Sequence, residues 1–555
     1  MAPPDRSSQD RLPRASGSTG LRGLLRTIDG GPFQAYRRIL GEHELLDFRL
    51  TVVSVPPDAL GGPARLRLWI DRTRAGLEGA WSRGAIPRLA LEGAIVRAAS
   101  RAIDDLTGPS AASAPGSGRV WVDPPGPELA ERTSARVDDE GVELSLAFDL
   151  PAAARCVRGR QAEAILFEHL PRVGMAALLF PLRRVNEVKL QVTAAARARA
   201  VASALDARGL AALLPWAAFP SGTMAPADRT TIETPDGPVE GLAIPTGITL
   251  FVTSGVSGAG AWLRDRIARS EQGSGGAAIL AGPVATLGAS RRAFGPLDLR
   301  AFVRACPEVP DPGNYAAEDA PAPLALAASL VEAVEAGARV VVIDEDEIPA
   351  GAFGRDARMQ HVLGDTPPLT PLAERLAELR DRWGLSFFIA ARGMGGLGDV
   401  ADAVFILRGD RLERAAVTRR GASSHDVAVH ETARSMRIVT EGSPGALKVA
   451  AWGGRGVRVG EDLVDLKDTT LVGDAARLRA VAALLKRAAS LATAWRPVEE
   501  VLDSLEEAAA REALDRLEEP GLVDLTRPSR IEIASALVRW RRVTFRCAAG
   551  KLRAT

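Results

Sequence analysis

The chain has 555 residues, of which 46% are hydrophobic and 25% charged, and this globular composition excludes wholesale disorder. At the usual domain size, such a length corresponds to about three or four domains. The 70 basic and 69 acidic residues give a net charge of +1, so attraction to nucleic acid or membrane requires a local patch. Three cysteines without paired spacing and five scattered histidines argue against a disulfide scaffold or zinc site and predict a cytoplasmic protein.

The first domain is predicted to follow a flexible leader. Residues 1–20 carry charges and prolines but no apolar core, so they do not form a secretory signal. Alternating apolar residues in LDFRLTVVSV and ARLRLWI predict strands, and IPRLALEGAIVRAASRAI has the spacing of an amphipathic helix. We therefore predict a mixed α+β domain over residues 21–225, which ends in a stretch rich in proline and threonine.

The central domain, predicted for residues 226–434, alternates helices with continuous apolar strands. ITLFVTS (248–254) enters a glycine- and serine-rich turn and is followed by the helical segment AWLRDRIARS. ARVVVIDEDE (338–347) and LSFFIAAR (385–392) each follow a predicted helix. This alternation predicts a mainly parallel sheet covered on both faces. Because parallel strands end at one edge, Asp344 is expected to lie beside the loop at 253–260.

The third domain, residues 435–555, is predicted to be mixed as well and to end in a basic tail. KVAAWGG and VRVGEDLVDL have strand patterning, and helices are expected between residues 475 and 509. No transmembrane span is predicted, because the longest uncharged stretch, residues 241–263, contains too many polar and glycine residues to favour insertion.

An acidic pair follows the apolar strand VVVI. Asp344 and Glu345 stand where nucleoside triphosphatases place two acids downstream of a phosphate loop. An aspartate at the strand end can hold magnesium through its waters, and the next glutamate can orient or deprotonate the attacking water. An apolar strand that runs into an acidic turn is also common in proteins without such a site. The interpretation of this acidic pair as part of a nucleotide site therefore depends on a phosphate loop earlier in the chain.

The companion is a phosphate loop, GxxxxGK[ST], whose backbone N–H groups and helix N-terminus cradle phosphates. The turn at the expected place consists of Thr253, Ser254, Gly255, Val256, Ser257, Gly258, Ala259 and Gly260. Gly258 fits the motif. Thr253 replaces its first glycine, Ala259 its lysine and Gly260 its metal-binding Ser or Thr. The sequence thus predicts the architecture of a phosphate loop without its reactive side chains.

Lysine is scarce in the whole chain. The five lysines are Lys189, Lys448, Lys467, Lys486 and Lys551. None lies between residues 190 and 447, so no lysine of the central domain can replace the missing one. Arg264 and Arg266 on the following helix are the candidates to supply part of its charge, but an arginine does not reproduce the compact charge of lysine.

The order of these segments resembles the predicted stand-alone ATPases of the ABC class, which lack a transmembrane partner. The segments that carry the resemblance are LRGLLRTIDG, GRQAEAILFEHLP, GLAIPTGITLFVTSG, EAVEAGARVVVIDEDE, GRDARMQ with LTPLAER, and RPSRIEIASALVRWR. DVADAVFILRGDRL is similar to the segment after the switch histidine of ABC ATPases. The resemblance implies a P-loop NTPase-like core, binding of ATP with Mg²⁺, and the pairing of two nucleotide-binding domains, here as a homodimer.

The resemblance also shows which functional groups this chain lacks. Where the family has a Ser/Gly signature, residues 319–324 read DAPAPL, and the two prolines remove N–H donors. Arg392 or Gly393 occupies the place of the switch histidine, so Arg392 is the switch candidate. Asp344, as the Mg²⁺ ligand through water, and Glu345, as the base, remain. We therefore expect an ATP-binding fold with impaired or absent hydrolysis and a structural or regulatory role.

Two alternatives stay open. An active ATPase would use Glu345 as its base and an arginine in place of the lysine. A nucleic-acid-binding scaffold with an empty nucleotide site would use the arginine-rich tail that begins at Arg527, in which arginines contact phosphates and aromatic rings stack on bases. The nucleic-acid candidates are Arg539, Trp540, Arg541, Arg542 and Arg546. The same tail is equally compatible with a solvated helix face.

Overall fold

The fold is taken from a computed structural model of the chain. The residues that it describes are 18–77, 79, 82–108, 116–125, 129–216, 229–253, 259–268, 278–303, 306–354, 361–362, 369–392, 396–408, 411–416, 433–440, 442–466, 469, 474–517 and 524–547.

The strands of the described residues are, in chain order, β1 (Gly41–Leu45), β2 (Phe48–Ser54), β3 (Ala64–Asp71), β4 (Val120–Trp121), β5 (Ala135–Val137), β6 (Gly141–Phe148), β7 (Ala152–Ala153), β8 (Cys156–Val157), β9 (Leu210–Pro215), β10 (Arg229–Ile232), β11 (Val239–Pro245), β12 (Ile248–Thr253), β13 (Ile279–Leu280), β14 (Val284–Leu287), β15 (Arg292–Leu297), β16 (Tyr315–Ala320), β17 (Val340–Asp344), β18 (Ser386–Ala391), β19 (Ala403–Arg408), β20 (Arg411–Ala415), β21 (Arg434–Ile438), β22 (Val449–Trp452), β23 (Gly456–Val459), β24 (Asp462–Asp465), β25 (Arg496–Pro497) and β26 (Val543–Cys547).

The α-helices are α1 (Ser18–Ile28), α2 (Arg72–Ala75), α3 (Ala85–Thr107), α4 (Gly159–Ala164), α5 (Leu170–Leu178), α6 (Leu182–Leu205), α7 (Ala259–Ala268), α8 (Ala322–Glu335), α9 (Ala350–Phe353), α10 (Leu376–Trp383), α11 (Leu397–Val400), α12 (Ala475–Leu491), α13 (Val498–Ala508), α14 (Arg511–Leu514) and α15 (Arg530–Arg539). Within the described ranges, none of these helices is long and apolar enough to cross a membrane.

The chain divides into two compact units that each combine distant segments. The first comprises Met1–Val192, Ala475–Ala480 and Ala510–Arg527, and the second comprises Thr193–Asp474, Val481–Ala509 and Pro528–Thr555. Two short C-terminal segments therefore belong to the first unit. The domain boundaries near residues 225 and 434 remain predictions.

The first unit is built on an antiparallel sheet with the strand order β1-β2-β3-β6-β4, in which β5 also pairs with β6. Helices α3 and α5 belong to the same core, through residues such as Leu91, Ile95 and Val173. The segment LDFRLTVVSV contains the predicted strand, and its alternate residues Phe48, Leu50 and Val52 are buried. The predicted mixed α and β content is thus present.

The central sheet of the second unit has the strand order β14-β17-β18-β12-β19-β20. Its first four pairings are parallel, and β20 adds an antiparallel edge strand. Every other strand pairing of the described residues is antiparallel. Among the described residues, parallel pairing is therefore confined to this sheet, and the sheets are largely antiparallel.

Both faces of the central sheet are buried. Along β17, Val341 and Ile343 enter one apolar cluster, whereas Val340 and Val342 enter another. Successive residues of a strand point to opposite faces, so an uninterrupted apolar run satisfies both clusters. Burial on both faces is the physical reason for the continuous VVVI sequence and leaves the strand ends as its polar positions.

Short strands that sequence patterning does not identify complete the second unit. β13 and β14 are only two and four residues long, and the antiparallel pair β15–β16 contains register shifts. Such short or irregular strands lack a sustained alternation of apolar residues. β14 nevertheless forms the edge of the central sheet, next to β17.

Candidate functional site at the strand ends

The carboxyl ends of three neighbouring strands meet at one edge of the central sheet. β12 ends at Thr253, β17 at Asp344 and β18 at Ala391. The parallel register pairs Asp344 with Ala390, and Val252 with Ala391, so these ends lie at the same level. In open sheets of this kind, ligands bind outside the carboxyl ends of the strands. This edge is therefore the candidate nucleotide site.

The first feature of this edge is a close approach between α7 and β17. A Cβ atom built on Gly260, the second residue of α7, would lie 1.7 Å from Oδ2 of Asp344. Asp344 thus lies beside the residues that flank the predicted phosphate loop, as the parallel strand order predicts. A side chain at residue 260, where the phosphate-loop motif is expected to have its Ser or Thr, would therefore require the carboxylate of Asp344 to move.

Part of the predicted loop cannot be placed. Ser254, Gly255, Val256, Ser257 and Gly258 lie outside the described residues, as does the side chain of Arg264. The residues on either side are buried, since Thr253 is 6% and Ala259 3% exposed. The expected roles of the loop in phosphate binding therefore stay predictions.

An acidic turn, residues 344–347, follows β17. Asp344 is buried, and its Oδ1 accepts a hydrogen bond of 3.1 Å from the backbone N–H of Asp346. Glu345–Glu347 form a short 3₁₀ turn that this contact caps. One oxygen of the Asp344 carboxylate is thus bonded to its own turn, and the other faces Gly260.

Arg392, the switch candidate, contacts the acidic turn from the end of β18. Its backbone N–H donates a hydrogen bond of 2.7 Å to Oε2 of Glu345. Its guanidinium nitrogen Nη2 lies 2.9 Å from Oδ2 of Asp346, and both side chains are more than 40% exposed. The two acids after Asp344 are therefore held by one residue, at the place that the resemblance gives to the switch histidine.

The family resemblance implies a magnesium ion, which requires suitable oxygen donors at the strand ends. Mg²⁺ requires near-octahedral oxygen coordination, and in P-loop sites a hydroxyl, a carboxylate and phosphate oxygens supply it. Gly260 offers no hydroxyl, and Oδ2 of Asp344 lies close to it. Within the described ranges, no cluster of three His, Cys, Asp or Glu residues could hold a metal. Of the protein donors of a P-loop Mg²⁺ site, the carboxylate of Asp344 is therefore present, whereas residue 260 supplies no hydroxyl.

The basic tail differs from its prediction in one important respect. Trp540 is only 2% exposed, and its indole Nε1 donates a hydrogen bond of 3.2 Å to Asp462. Nε of Arg542 donates to the same carboxylate at 2.9 Å. The prediction that Trp540 stacks on a base is wrong, because the amphipathic sequence around it buries the ring in the second unit.

The other tail candidates separate into paired and open side chains. Nη1 of Arg539 donates to the backbone oxygen of Ser535 at 3.0 Å. Arg541 and Arg546 are exposed, and the guanidinium of Arg546 lies 4.5 Å from the ring centre of Trp495. Sequence reasoning missed Trp495, since 51 positions separate it from Arg546 and no local pattern links them. Residues 548–555 lie outside the described residues.

A parallel sheet with a strand–loop–helix and an acidic strand end at its carboxyl edge defines a P-loop domain. Comparison with protein families agrees: the P-loop domain of the ABC-class ATPases matches residues 221–441. The N-terminal domain of ABC-class ATPases matches residues 18–180, and a family described as the MRB1590 C-terminal domain matches residues 448–546. The chain belongs to the ABC-class ATPase family. No curated protein matches the chain.

Proposed function

We propose that this chain binds ATP at the carboxyl edge of the central sheet and hydrolyses it slowly or not at all, in a structural or regulatory role. One observation carries the proposal: the carboxylate of Asp344 stands against Gly260, where an active P-loop has a hydroxyl. The family relationship supports nucleotide binding. The chemistry at the strand ends argues against efficient turnover.

The argument against turnover rests on charge. In phosphoryl transfer the protein contributes mainly positioning and cations that neutralise the phosphate oxygens. The motif lysine is replaced by buried Ala259, and the guanidinium of Arg392 already has a carboxylate partner in Asp346. Loss of one such electrostatic group costs about 10²–10³ in rate. Without those cations, the water that Glu345 would orient or deprotonate has no polarised phosphate to attack.

Binding makes smaller demands than catalysis. Backbone N–H groups of a loop and a helix N-terminus bind phosphate without any side chain, and α7 begins at Ala259, directly after the loop. We therefore expect ATP to bind with little dependence on Mg²⁺, because the metal-binding hydroxyl is missing. A P-loop protein with an intact site shows the opposite behaviour.

Calorimetric titration with ATP, with and without Mg²⁺, tests the binding. ATP turnover is compared between the wild-type protein and its Glu345→Gln variant, with Glu347→Gln as the matched control because Glu347 is an exposed acid of the same turn. We expect binding in both buffers and equal background turnover of all three proteins. Turnover well above background that Glu345→Gln abolishes and Glu347→Gln retains would show an active ATPase instead.

The quaternary arrangement is part of the same proposal. The family resemblance implies two nucleotide-binding domains that face each other, and we propose a homodimer through the ABC-like domain. α8, which begins at the place of the missing signature, is preceded by Pro321 and contains Pro323 in its first turn. Prolines donate no N–H to a partner's phosphate. Light scattering should therefore show a mass that ATP does not change, whereas ATP-driven dimerisation would contradict this part of the proposal.

A further inference from the structure

A small sheet of the second unit has one buried face and one face whose residues are half-buried or exposed. Its strand order is β25-β21-β26, and Met436, Ile438, Val543 and Phe545 are buried on one side. The alternating residues Ser435, Arg437, Thr544 and Arg546 are on the opposite side, where Ser435 is paired with Arg546 and Arg437 with Thr544. We call these four residues, together with Trp495, the basic sheet face.

Two arginines of the basic sheet face share one aromatic ring. The guanidinium carbon of Arg437 lies 5.1 Å from the ring centre of Trp495, and that of Arg546 lies 4.5 Å from it. Trp495 precedes β25 directly, so the ring is held at the sheet rather than on a loop tip. A cation above an aromatic ring is attracted by the ring's quadrupole. The arrangement gathers two positive charges on one stacking platform.

These two charges have no carboxylate partner among the described residues. Most arginines that approach the same sheet are paired: Arg434 with Glu335, Arg542 with Asp462, and Arg496 with Glu500. Arg437 and Arg546 make only the ring contacts to Trp495 within that part of the chain. Two neighbouring like charges repel each other, and an anionic partner would relieve this repulsion.

We propose that the basic sheet face binds single-stranded nucleic acid. Arginine guanidinium groups contact phosphates, and unpaired bases stack on aromatic rings and on guanidinium planes. The hydroxyl groups of Ser435 and Thr544, beside the arginines, suit phosphate or sugar oxygens. In this proposal Trp495, rather than the buried Trp540, is the stacking residue, and Arg546 remains a candidate for contact with nucleic acid. It is independent of nucleotide binding at the central sheet.

The test uses the full-length protein and a fluorescein-labelled single-stranded oligonucleotide, with a duplex of equal length and polyglutamate as competitors, read by anisotropy. The variant Arg437→Gln with Arg546→Gln should weaken binding at least tenfold and reduce the salt slope by about 1.4, since each phosphate contact on a single strand contributes about 0.7. Trp495→Leu should weaken binding about fivefold or more, and Trp495→Phe should restore much of it, because base stacking survives.

A matched control comes from the same unit. Arg455 lies 4.4 Å from the ring centre of Trp452 and is exposed, so Arg455→Gln removes an equal charge from an equal contact outside the basic sheet face. It should leave the affinity unchanged. Equal loss in Arg455→Gln, or no binding of wild-type protein to the oligonucleotide at low salt, would overturn the proposal. So would competition by polyglutamate with no effect of Trp495→Leu, which would indicate an acidic protein partner.

Discussion

The acidic turn of the central sheet and the basic sheet face differ in whether their charged side chains contact a group of opposite charge. In the acidic turn, Glu345 and Asp346 both contact Arg392. On the basic sheet face, Arg437 and Arg546 contact only a ring among the described residues. A charge that is already paired needs no ligand, whereas unpaired charges favour one. The comparison teaches that the acidic turn finds its opposite charge within the protein, whereas for the two arginines of the basic sheet face the described residues supply no carboxylate.

The largest effect is expected on the buried side of the same small sheet, which sharpens the contrast with the basic sheet face. Nε of Arg434, in β21, donates a hydrogen bond of 3.0 Å to Glu335. Burial lowers the pKa of Arg434, but the carboxylate of Glu335 raises it by more, so the pKa lies above its ordinary value. Glu335→Gln should therefore reduce the free energy of unfolding by about 3–5 kcal/mol, because it leaves a buried charge unpaired. Urea unfolding measures this loss.

The control for that prediction is Glu499→Gln, since Glu499 is exposed and has no ion-pair partner among the described residues. It should change stability by less than about 0.5 kcal/mol. If both variants lose the same stability, Arg434 does not depend on Glu335.

The second prediction tests the close approach at the nucleotide edge. Gly260→Ser, which restores the motif residue, should reduce the free energy of unfolding by about 1–3 kcal/mol, because its Cβ collides with Oδ2 of Asp344. Removing the obstacle in the double variant Gly260→Ser with Asp344→Ala should recover stability. Additive losses in this double-mutant cycle would show that the two residues do not compete for space.

A smaller effect is expected at the contact between Arg392 and the acidic turn. Because both partners are more than 40% exposed, Arg392→Ala should change the free energy of unfolding by no more than about 1 kcal/mol. Hydrogen exchange of the backbone amides at 345–347 should become faster, since the turn loses one tether. Unchanged exchange there would mean that the N–H group of residue 392 alone holds the turn.

The smallest change in stability is expected on the basic sheet face. Arg437→Gln should alter the free energy of unfolding by less than about 0.5 kcal/mol, since Arg437 has no ion pair with the described residues. Replacing it relieves repulsion from Arg546 while it removes one ring contact. Thermal unfolding measures the change. A loss as large as that of Glu335→Gln would make Arg437 a structural residue and break the comparison.

The sequence identified those elements whose signal is local and strong. ITLFVTS became β12, the apolar run before Asp344 became β17, and ALAASLVEAVE lies within α8. Burial on both sheet faces imposes such runs, so they are visible without a structure. The ordered segments also indicated the ABC-class family, which the family matches confirm. Short strands such as β14 gave no usable pattern.

The sequence by itself determined which residue types stand at the positions expected for the phosphate loop, because a residue type needs no coordinates: Ala259 has no amine and Gly260 no hydroxyl. Tertiary structure alone decided how the remaining charges are used. It buried Trp540 on Asp462, placed Asp344 against Gly260, and brought Arg437 and Arg546 to the ring of Trp495. These contacts join positions far apart in the chain, and packing rather than local periodicity selects them.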